Sequence, residues 1–466
     1  MDLKLNKRRT FLIAFGFFGV LMVWNVYYYY IPLFLEDLLL SRNPDSKPED
    51  FANIIGHIMS LDNLAAIIII PLFSWLSDRT KSRFGKRIPY IVIGSAASLI
   101  LFPLIAAMYL VNAFAWYFVI VILLVIAMQS FRSPVVALMP DVTPKPLRIS
   151  ANAIINFIGY IGGILGTGII MIIGFFPNVP LNSAVNLIPF IATSLVLASV
   201  IVTFILRFSE NKVVASMKDE LAEGERLSET IEVVKEDKPL SRQDKFNFAI
   251  IIAAVFFCWF AFNALMNFGS VYARNQLGEG ANWAMNMTVL PIASLAAFLP
   301  AIWLTKKLGR KWSVIIGLAI VVFALVMAAA FTPLMVRNLD MIFVNIILAI
   351  FFGISGIGWA IVNVNTFPMF VEVSTSKNIG FITGIYYLVS QGAMFLTSNI
   401  SGYVYRGLGY GFYYWYAIIF MSLALGICFL FRQKKVTQEP KPSAPCTLES
   451  NECADEKPSD QPLPQH

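Results

Sequence analysis

Apolar residues run along this chain in blocks of 20 or more, separated by short polar stretches. The blocks fall near 11–35, 51–76, 89–111, 113–139, 152–174, 187–206, 246–272, 282–304, 312–334, 341–363, 378–401 and 411–431. At a rise of about 1.5 Å per residue, each is long enough to cross a hydrocarbon core about 30 Å thick. The pattern predicts an all-α membrane protein with twelve transmembrane helices. The first block, Phe11–Leu35, follows a basic start (Lys4, Lys7, Arg8, Arg9). It is too long for a signal-peptide core and no small-residue cleavage site follows, so it reads as a retained span.

The blocks repeat. Arg83-Phe-Gly-Lys-Arg87 follows span two, and Lys307-Leu-Gly-Arg-Lys311 follows span eight, 224 positions later. Span seven opens 235 positions after span one, and Pro368 answers Pro140 at an offset of 228. Three similar offsets imply two pseudo-symmetric six-helix bundles, residues 1–206 and 246–431. The joint, 207–245, holds 8 basic and 10 acidic residues and reads as a solvated linker, with a short amphipathic helix as the alternative. The tail, 432–466, is rich in Pro, Glu and Ser and reads as disordered.

Composition sharpens this picture. Apolar residues make up 58% of the 466 and charged residues only 14%, where a soluble domain carries about 25% charged. Of the 35 Lys and Arg, 29 fall on the N-terminal side of the predicted spans, 5 on the other side, and one, Arg132, inside a span. The positive-inside rule then makes both termini cytoplasmic in a plasma (inner) membrane. It also accounts for the net charge of +7 without nucleic acid. With two His (His57 and His466) and four Cys (Cys258, Cys428, Cys446, Cys453) in no CxxC pair, a metal site or disulfide framework is not expected. No GxxxxGK[ST] phosphate cradle occurs, so nucleotide-driven pumping is not expected either. The expectation is a monomeric, non-enzymatic carrier without cofactor.

Chemistry concentrates where the bilayer tolerates it least. Asp62 lies near the middle of span two and Arg132 in span four, positions that cost at least about 2.5–3.5 kcal/mol on insertion scales. Side-chain direction aims Arg132 at Asp62, predicting an ion pair, direct or bridged by water, that serves proton coupling; a static bolt between helices is the alternative. Asn63, Gln129, Trp24, Asn25 and Tyr28 neighbour them along the chain or on adjoining spans. Trp259, Asn263 and Asn267 share one face of span seven, and Tyr387 and Gln391 one face of span eleven. The uneven distribution predicts that spans 1, 2, 4, 7, 10 and 11 line a wet cavity while the others face lipid. Neutral amides with aromatic faces suit a sugar, whose hydroxyls need donors and acceptors and whose C–H faces stack on rings. Two bland alternatives stand beside this: an outer aromatic belt for Tyr27–Tyr30, and helix-to-helix glue for the span-seven amides. Gly159, Gly162, Gly163 and Gly166 read as close helix packing.

The cytoplasmic loop 77–87 is dense in charge. Asp78 sits at a helix C-terminus, where the dipole disfavours it unless Arg79 or Arg83 compensates. With Gly85, Arg87, Asp141 and Arg148 it forms a candidate gating cluster, or else serves only as a topology signal.

Ser77-Asp78-Arg79 followed by Arg83-Phe-Gly-Lys-Arg87-Ile-Pro89 resembles the loop-2/3 signature of the major facilitator superfamily, in the form found in glycoside–pentoside–hexuronide cation symporters and sucrose/maltose-transporter relatives. Ser133-Pro134-Val-Val-Ala137-Leu138-Met-Pro140-Asp141 resembles the span-four ending of that group, and Leu61-Asp62-Asn63 the span-two acidic position of its bacterial sucrose-transporter-like branch. The resemblance covers residues 1–431 and implies cation-coupled sugar uptake by alternating access. Melibiose-type members carry paired acids on span two; here only Asp62 stands, one turn outward, which favours protons over sodium. Plant sucrose carriers place Arg directly before the span-four Ala-Leu; here that position is Val136, and Arg132 lies one turn earlier on the same face. The resulting reading is proton-coupled symport of a disaccharide or related glycoside. An exporter or multidrug-type antiporter on the same fold is the alternative. A sensor or scaffold would need a signalling domain that the linker and tail do not show.

Overall fold

A computed structural model of the chain describes residues 4–176, 179–232, 241–372 and 379–432. Lys377 and the tail cysteines therefore lie outside the described residues, as does His466. The described residues up to Phe431 form one compact unit, and the tail expected to be disordered lies outside the described residues from 433 onward.

The N-terminal bundle comprises α1 (Lys7–Arg42), α2 (Ala52–Arg79), α3 (Ile88–Leu110), α4 (Phe114–Asp141), α5 (Arg148–Ile173) and α6 (Ile188–Leu206). Asn6 caps α1, its side chain accepting from the Arg9 N–H at 3.1 Å. Two helices, α7 (Glu210–Ser216) and α8 (Lys218–Glu232), follow before the C-terminal bundle. That bundle consists of α9 (Arg242–Tyr272), α10 (Trp283–Asn338), α11 (Met341–Glu372), α12 (Ile379–Leu408) and α13 (Tyr413–Phe429). Ser241 and Asp244 form a capping box at the start of α9.

Among the described residues, ten helical segments are long and apolar enough to cross a membrane. One of them, α10, is two arms joined at Gly309, where φ is 79° and ψ 163°. With α12 this gives the twelve spans, alternating in direction. The face where α1 begins is called the near face and the opposite one the far face.

Gly309 has a counterpart in Gly85, with φ of 118°. Both glycines stand inside the repeated basic motif, and both use a backbone conformation that a side chain makes costly. The internal repeat is thus visible as one turn device used twice on the near face.

Glycine also sets how closely α5 lies on α1. A side chain on Gly162 would collide with the backbone of Phe18, and one on Gly166 would come within 3.1 Å of the Met22 carbonyl. This close packing holds the middle of α1, and with it Trp24 and Asn25, against α5.

The bundles meet at the far face. Arg274 donates to Asp37 at 2.5 Å, and the Asp37 carboxylate also accepts from Tyr109 at 2.7 Å. Asn275 donates to both Glu36 oxygens at 2.8 and 3.0 Å, and Tyr410 donates to Glu36 at 3.2 Å. Arg274 and Asn275 sit on a π-helical turn, Ala273–Leu277. Gly56 and Gly402 bring α2 and α12 into backbone contact, and beside them His57 bonds Asn399 and, at 3.1 Å, Tyr403. Asn282 donates to the Met171 carbonyl at 2.8 Å. These groups seal the far end of the seam.

Among the described residues of the joint, 207–232, the chain forms two helices, as the helix alternative had it, and is not a plain solvated linker. Helix α7 docks on the near-face loop after α2. There the buried Glu210 accepts from the Arg87 backbone N–H at 2.8 Å, and Asn211 donates to the Ser82 and Arg83 carbonyls at 2.8 and 3.2 Å. Helix α8 approaches the turn after α4 at Gly224, where a side chain would meet Pro144. Backbone groups left free by the loop's turn are what these acidic and amide side chains satisfy.

Candidate functional site

A cavity of about 340 Å³ lies between the bundles. From the N-terminal bundle, Trp24, Asn25 and Tyr28 (α1), Asp62 and Asn63 (α2), and Gln129 and Arg132 (α4) line it. From the C-terminal bundle come Trp259, Phe262 and Met266 (α9), Met287 (α10), Trp359 (α11), and Tyr387 and Gln391 (α12).

Asp62, only 2% exposed, is held by neutral donors. The Tyr28 hydroxyl donates to one oxygen at 2.5 Å, and the Asn63 N–H and side-chain amide both donate to the other at 2.6 Å. Tyr28 in turn stacks on Trp24 with centroids 5.7 Å apart. Among the described residues no direct ion pair joins Asp62 to Arg132. Tyr28 and Asn63 occupy the carboxylate, and the half-buried Arg132 guanidinium makes no hydrogen bond or ion pair there, although it lies close enough to act on Asp62 through space. Of the two expected forms, direct and bridged by water, the direct ion pair is therefore absent; the two groups line one wall of the cavity, with Tyr28 hydrogen-bonded to the acid. Gln129 donates to the Asp62 backbone carbonyl at 3.0 Å, leaving its own buried side-chain oxygen unpartnered.

Ten of the twelve coupling and binding candidates line the cavity. Asn263 and Asn267 do not. Asn267 donates to Asn263 at 3.0 Å and to the Ser398 hydroxyl at 2.7 Å, and Ser398 donates to Asn263 at 2.9 Å. This buried knot ties α9 to α12: each fourth residue falls about 40° further round the helix, so Asn263 and Asn267 drift from Trp259 toward the neighbouring helix. Of Tyr27–Tyr30 only Tyr28 reaches the cavity. Tyr27 and Tyr30 are buried, and Tyr30 donates to Asn186 at 2.9 Å, so the run is not a lipid-facing belt.

Spans five and eight also contribute, through Tyr160 and Gly163 on α5 and Met287, Leu290 and Ser294 on α10. These five residues carry neither charge nor amide, and the asparagines of the same spans (Asn152, Asn156, Asn282 and Asn286) do not line the cavity, so no polar signal marked them in the sequence.

The sequence profile described as Major Facilitator Superfamily matches residues 13–396 and 281–459. The chain belongs to the major facilitator superfamily. Solved structures share the fold at low identity. A D-xylose–proton symporter aligns with a TM-score of 0.66 at 14% identity, covering 91% of this chain and 98% of the other. The xylose transporter XylE from E. coli in an inward-open conformation aligns at 0.67 and 13%, covering 92% and 97%. A point mutant of the nucleoside transporter NupG aligns at 0.61 and 14%, covering 91% and 98%. No curated protein matches the chain.

In this superfamily member the near-face charges gather on Arg87, not on Arg79 or Arg83. Arg87 is 5% exposed. Its guanidinium donates to Asp141 at 2.9 Å, to Asp78 at 2.5 Å and to the Ser77 hydroxyl. Lys86 pairs with Asp141 at 3.1 Å. The turn at Gly85 swings Arg87 back across the ends of α2 and α4. Arg79 and Arg83 instead lie over the rings of Trp75 and Phe84, at 4.1 and 4.7 Å. Arg148 donates to the Thr143 and Pro140 carbonyls at 3.1 and 2.8 Å, closing the end of α4. A side chain on Gly85 would run into Glu210 as well as strain the backbone. Gly85→Ala is expected to undock α7 and cost about 1–3 kcal/mol. The check is faster proteolytic nicking within 207–245 and a lower melting temperature.

Burial raises the Glu210 carboxyl above its ordinary range, against the opposing pull of the Arg87 N–H. Its contribution to docking is therefore fully present below the ordinary glutamate value of about 4.3 and is lost as pH rises through the raised one. Hydrogen exchange of α7 should show tighter docking in acid. Glu210→Gln, which keeps an acceptor for Arg87, should flatten that dependence.

Proposed function

We propose that this secondary transporter moves a disaccharide or related glycoside together with a proton, by alternating access across the plasma membrane, with the near face and both termini cytoplasmic. The observation that supports this is a central cavity holding one carboxylate bound by neutral donors and one guanidinium left open, ringed by amides and aromatic faces and sealed toward the far face. The D-xylose–proton symporter among the structural neighbours is a case of this fold carrying a sugar with a proton.

The neighbours of Asp62 point hydrogens at it. Both carboxylate oxygens are thereby occupied by donors, and among the described residues no cluster of oxygen ligands that could hold a metal cation converges there, which favours a proton over sodium as the coupling ion. Protonation turns the Asp62 carboxylate from pure acceptor into a donor as well, which loosens the Tyr28 hydroxyl and frees the Tyr28–Trp24 stack to rearrange around a sugar. The open guanidinium of Arg132, Asn25 and the free oxygen of Gln129 supply donors and acceptors to hydroxyls. A neutralised, loaded cavity then reorients at lower electrostatic cost than an empty charged one.

Uptake of labelled sucrose and maltose by proteoliposomes, with and without an imposed pH gradient, tests the reading. Accumulation with the near side alkaline supports it. An exporter or multidrug-type antiporter is the second reading, favoured by the apolar surface of Phe262, Met266 and Met287; it predicts no sugar uptake and proton-driven efflux of apolar compounds.

A further inference from the structure

The two walls of the cavity differ in chemistry. Both charged residues, Asp62 and Arg132, stand on the N-terminal bundle with Asn25 and Gln129. Facing them, α9, α10 and α11 present Trp259, Phe262, Met266, Met287 and Trp359. We propose that the substrate is a glycoside with an apolar aglycone, the sugar lying against the N-terminal bundle and the aglycone against this wall of rings and thioethers. The inference rests on the glycoside reading above and narrows it.

The rings are arranged as a packed cluster. Phe262 and Trp359 stack with centroids 4.2 Å apart and planes within 4°, and Trp259 meets Trp359 edge-on at 5.4 Å and 88°. Phe262 thus covers one face of Trp359, and Trp359 itself is 7% exposed, which leaves little open indole for a pyranose to lie on. Phe262 and Met266 reach the cavity half-buried, and neither offers a strong donor or acceptor. A second sugar ring pressed there would strip water from its hydroxyls and give them nothing in return. An aryl or alkyl group would lose no hydrogen bond and would be followed closely by unbranched, polarizable methionines. The polar side chains of the C-terminal lining are Tyr386, Tyr387, Ser390 and Gln391 on α12, and Ser294 on α10, whose hydroxyl is already donated to the Leu290 and Gly356 carbonyls at 2.9 and 2.8 Å.

An aglycone on one bundle and a sugar on the other also makes the substrate itself a bridge. Neither half of the molecule alone would draw both walls together, so free monosaccharide and free aglycone should bind weakly.

Full-length purified protein can be titrated calorimetrically with matched methyl and 4-nitrophenyl glycosides of glucose and galactose, in both anomers, beside sucrose, maltose and free 4-nitrophenol. For the accepted sugar, the nitrophenyl glycoside is expected to bind at least about tenfold more tightly than its methyl partner, given the extra apolar area buried. Phe262→Gln and Met266→Gln should each erode that ratio. Equal affinity within each matched pair, or tighter binding of sucrose or maltose than of every nitrophenyl glycoside, would overturn the inference and leave the sugar-transport reading standing. Nitrophenol binding as tightly as its glycosides, or no binding by any sugar derivative, would overturn both. The matched-pair comparison uses the unmodified protein, so it stands even if a variant does not fold.

Discussion

Asp62→Asn should abolish sugar accumulation while leaving sugar exchange across the membrane within about threefold of the parent protein. A pH difference of about 2 units supplies about 2.7 kcal/mol per proton, which caps a one-proton symporter at an accumulation ratio of about 100. Without the carboxyl that lines the cavity that ratio should fall to unity. Exchange needs only that the loaded cavity reorient, and asparagine preserves the local bonding: its oxygen can accept from Asn63 and its amide can donate to the Tyr28 oxygen, in place of the 2.5 Å bond now donated by Tyr28. Counterflow and gradient-driven uptake measured on the same vesicles separate the two outcomes. Full accumulation by the variant would refute the coupling role of Asp62.

Arg274→Asp should open the far end. The substitution sets a third carboxylate beside Asp37 and Glu36, where an ion pair of 2.5 Å now stands with its partners 37% and 33% exposed. Because water screens a pair this exposed, the shift is discounted to about 0.5–1 kcal/mol, or about two- to fivefold in the ratio of far-open to far-closed molecules. Met287→Cys, one turn inside the far end of α10, reports the change through its labelling rate with an impermeant thiol reagent. The rate should rise by about that factor in Arg274→Asp. It should return toward the starting value in the double exchange Asp37→Arg with Arg274→Asp, since attraction is restored with its sign reversed. No recovery in the double variant would show that the pair does not act as a seal.

How much of this was readable from residues alone depends on whether a side chain breaks a pattern. Asp62 and Arg132 were visible because a charge inside an apolar block is costly, and both line the cavity. The repeat was visible through the basic motif, and its glycines share the same unusual backbone. Glu36, Asp37 and Arg274 were hidden because charges at helix ends are ordinary. A signal existed: Asp37 and Arg274 lie 237 positions apart, nearly the 235 that separates the opening of spans one and seven, so opposite charges occupy equivalent ends of the two bundles. Helix α7 was hidden because Glu210 and Asn211 resemble any solvated pair until the loop they satisfy is known. The roles of Asn263 and Asn267 were undecidable from spacing, since the face they share can turn toward a cavity or toward Ser398. The methionine and glycine lining from α5 and α10 differs in no way, as sequence, from residues that face lipid.

The one charged pair in the seal, Arg274 with Asp37, is about one third open to the surrounding liquid, unlike the buried Glu36 beside it. Added electrolyte shortens the reach of such charges, from about 10 Å at 0.1 M to about 3 Å at 1 M, whereas the Gly56 and Gly402 backbone contacts nearby are indifferent to it. Raising the salinity of the medium at the far face is therefore expected to weaken this one contact and shift the empty carrier toward the far-open form, and dilute medium to shift it back.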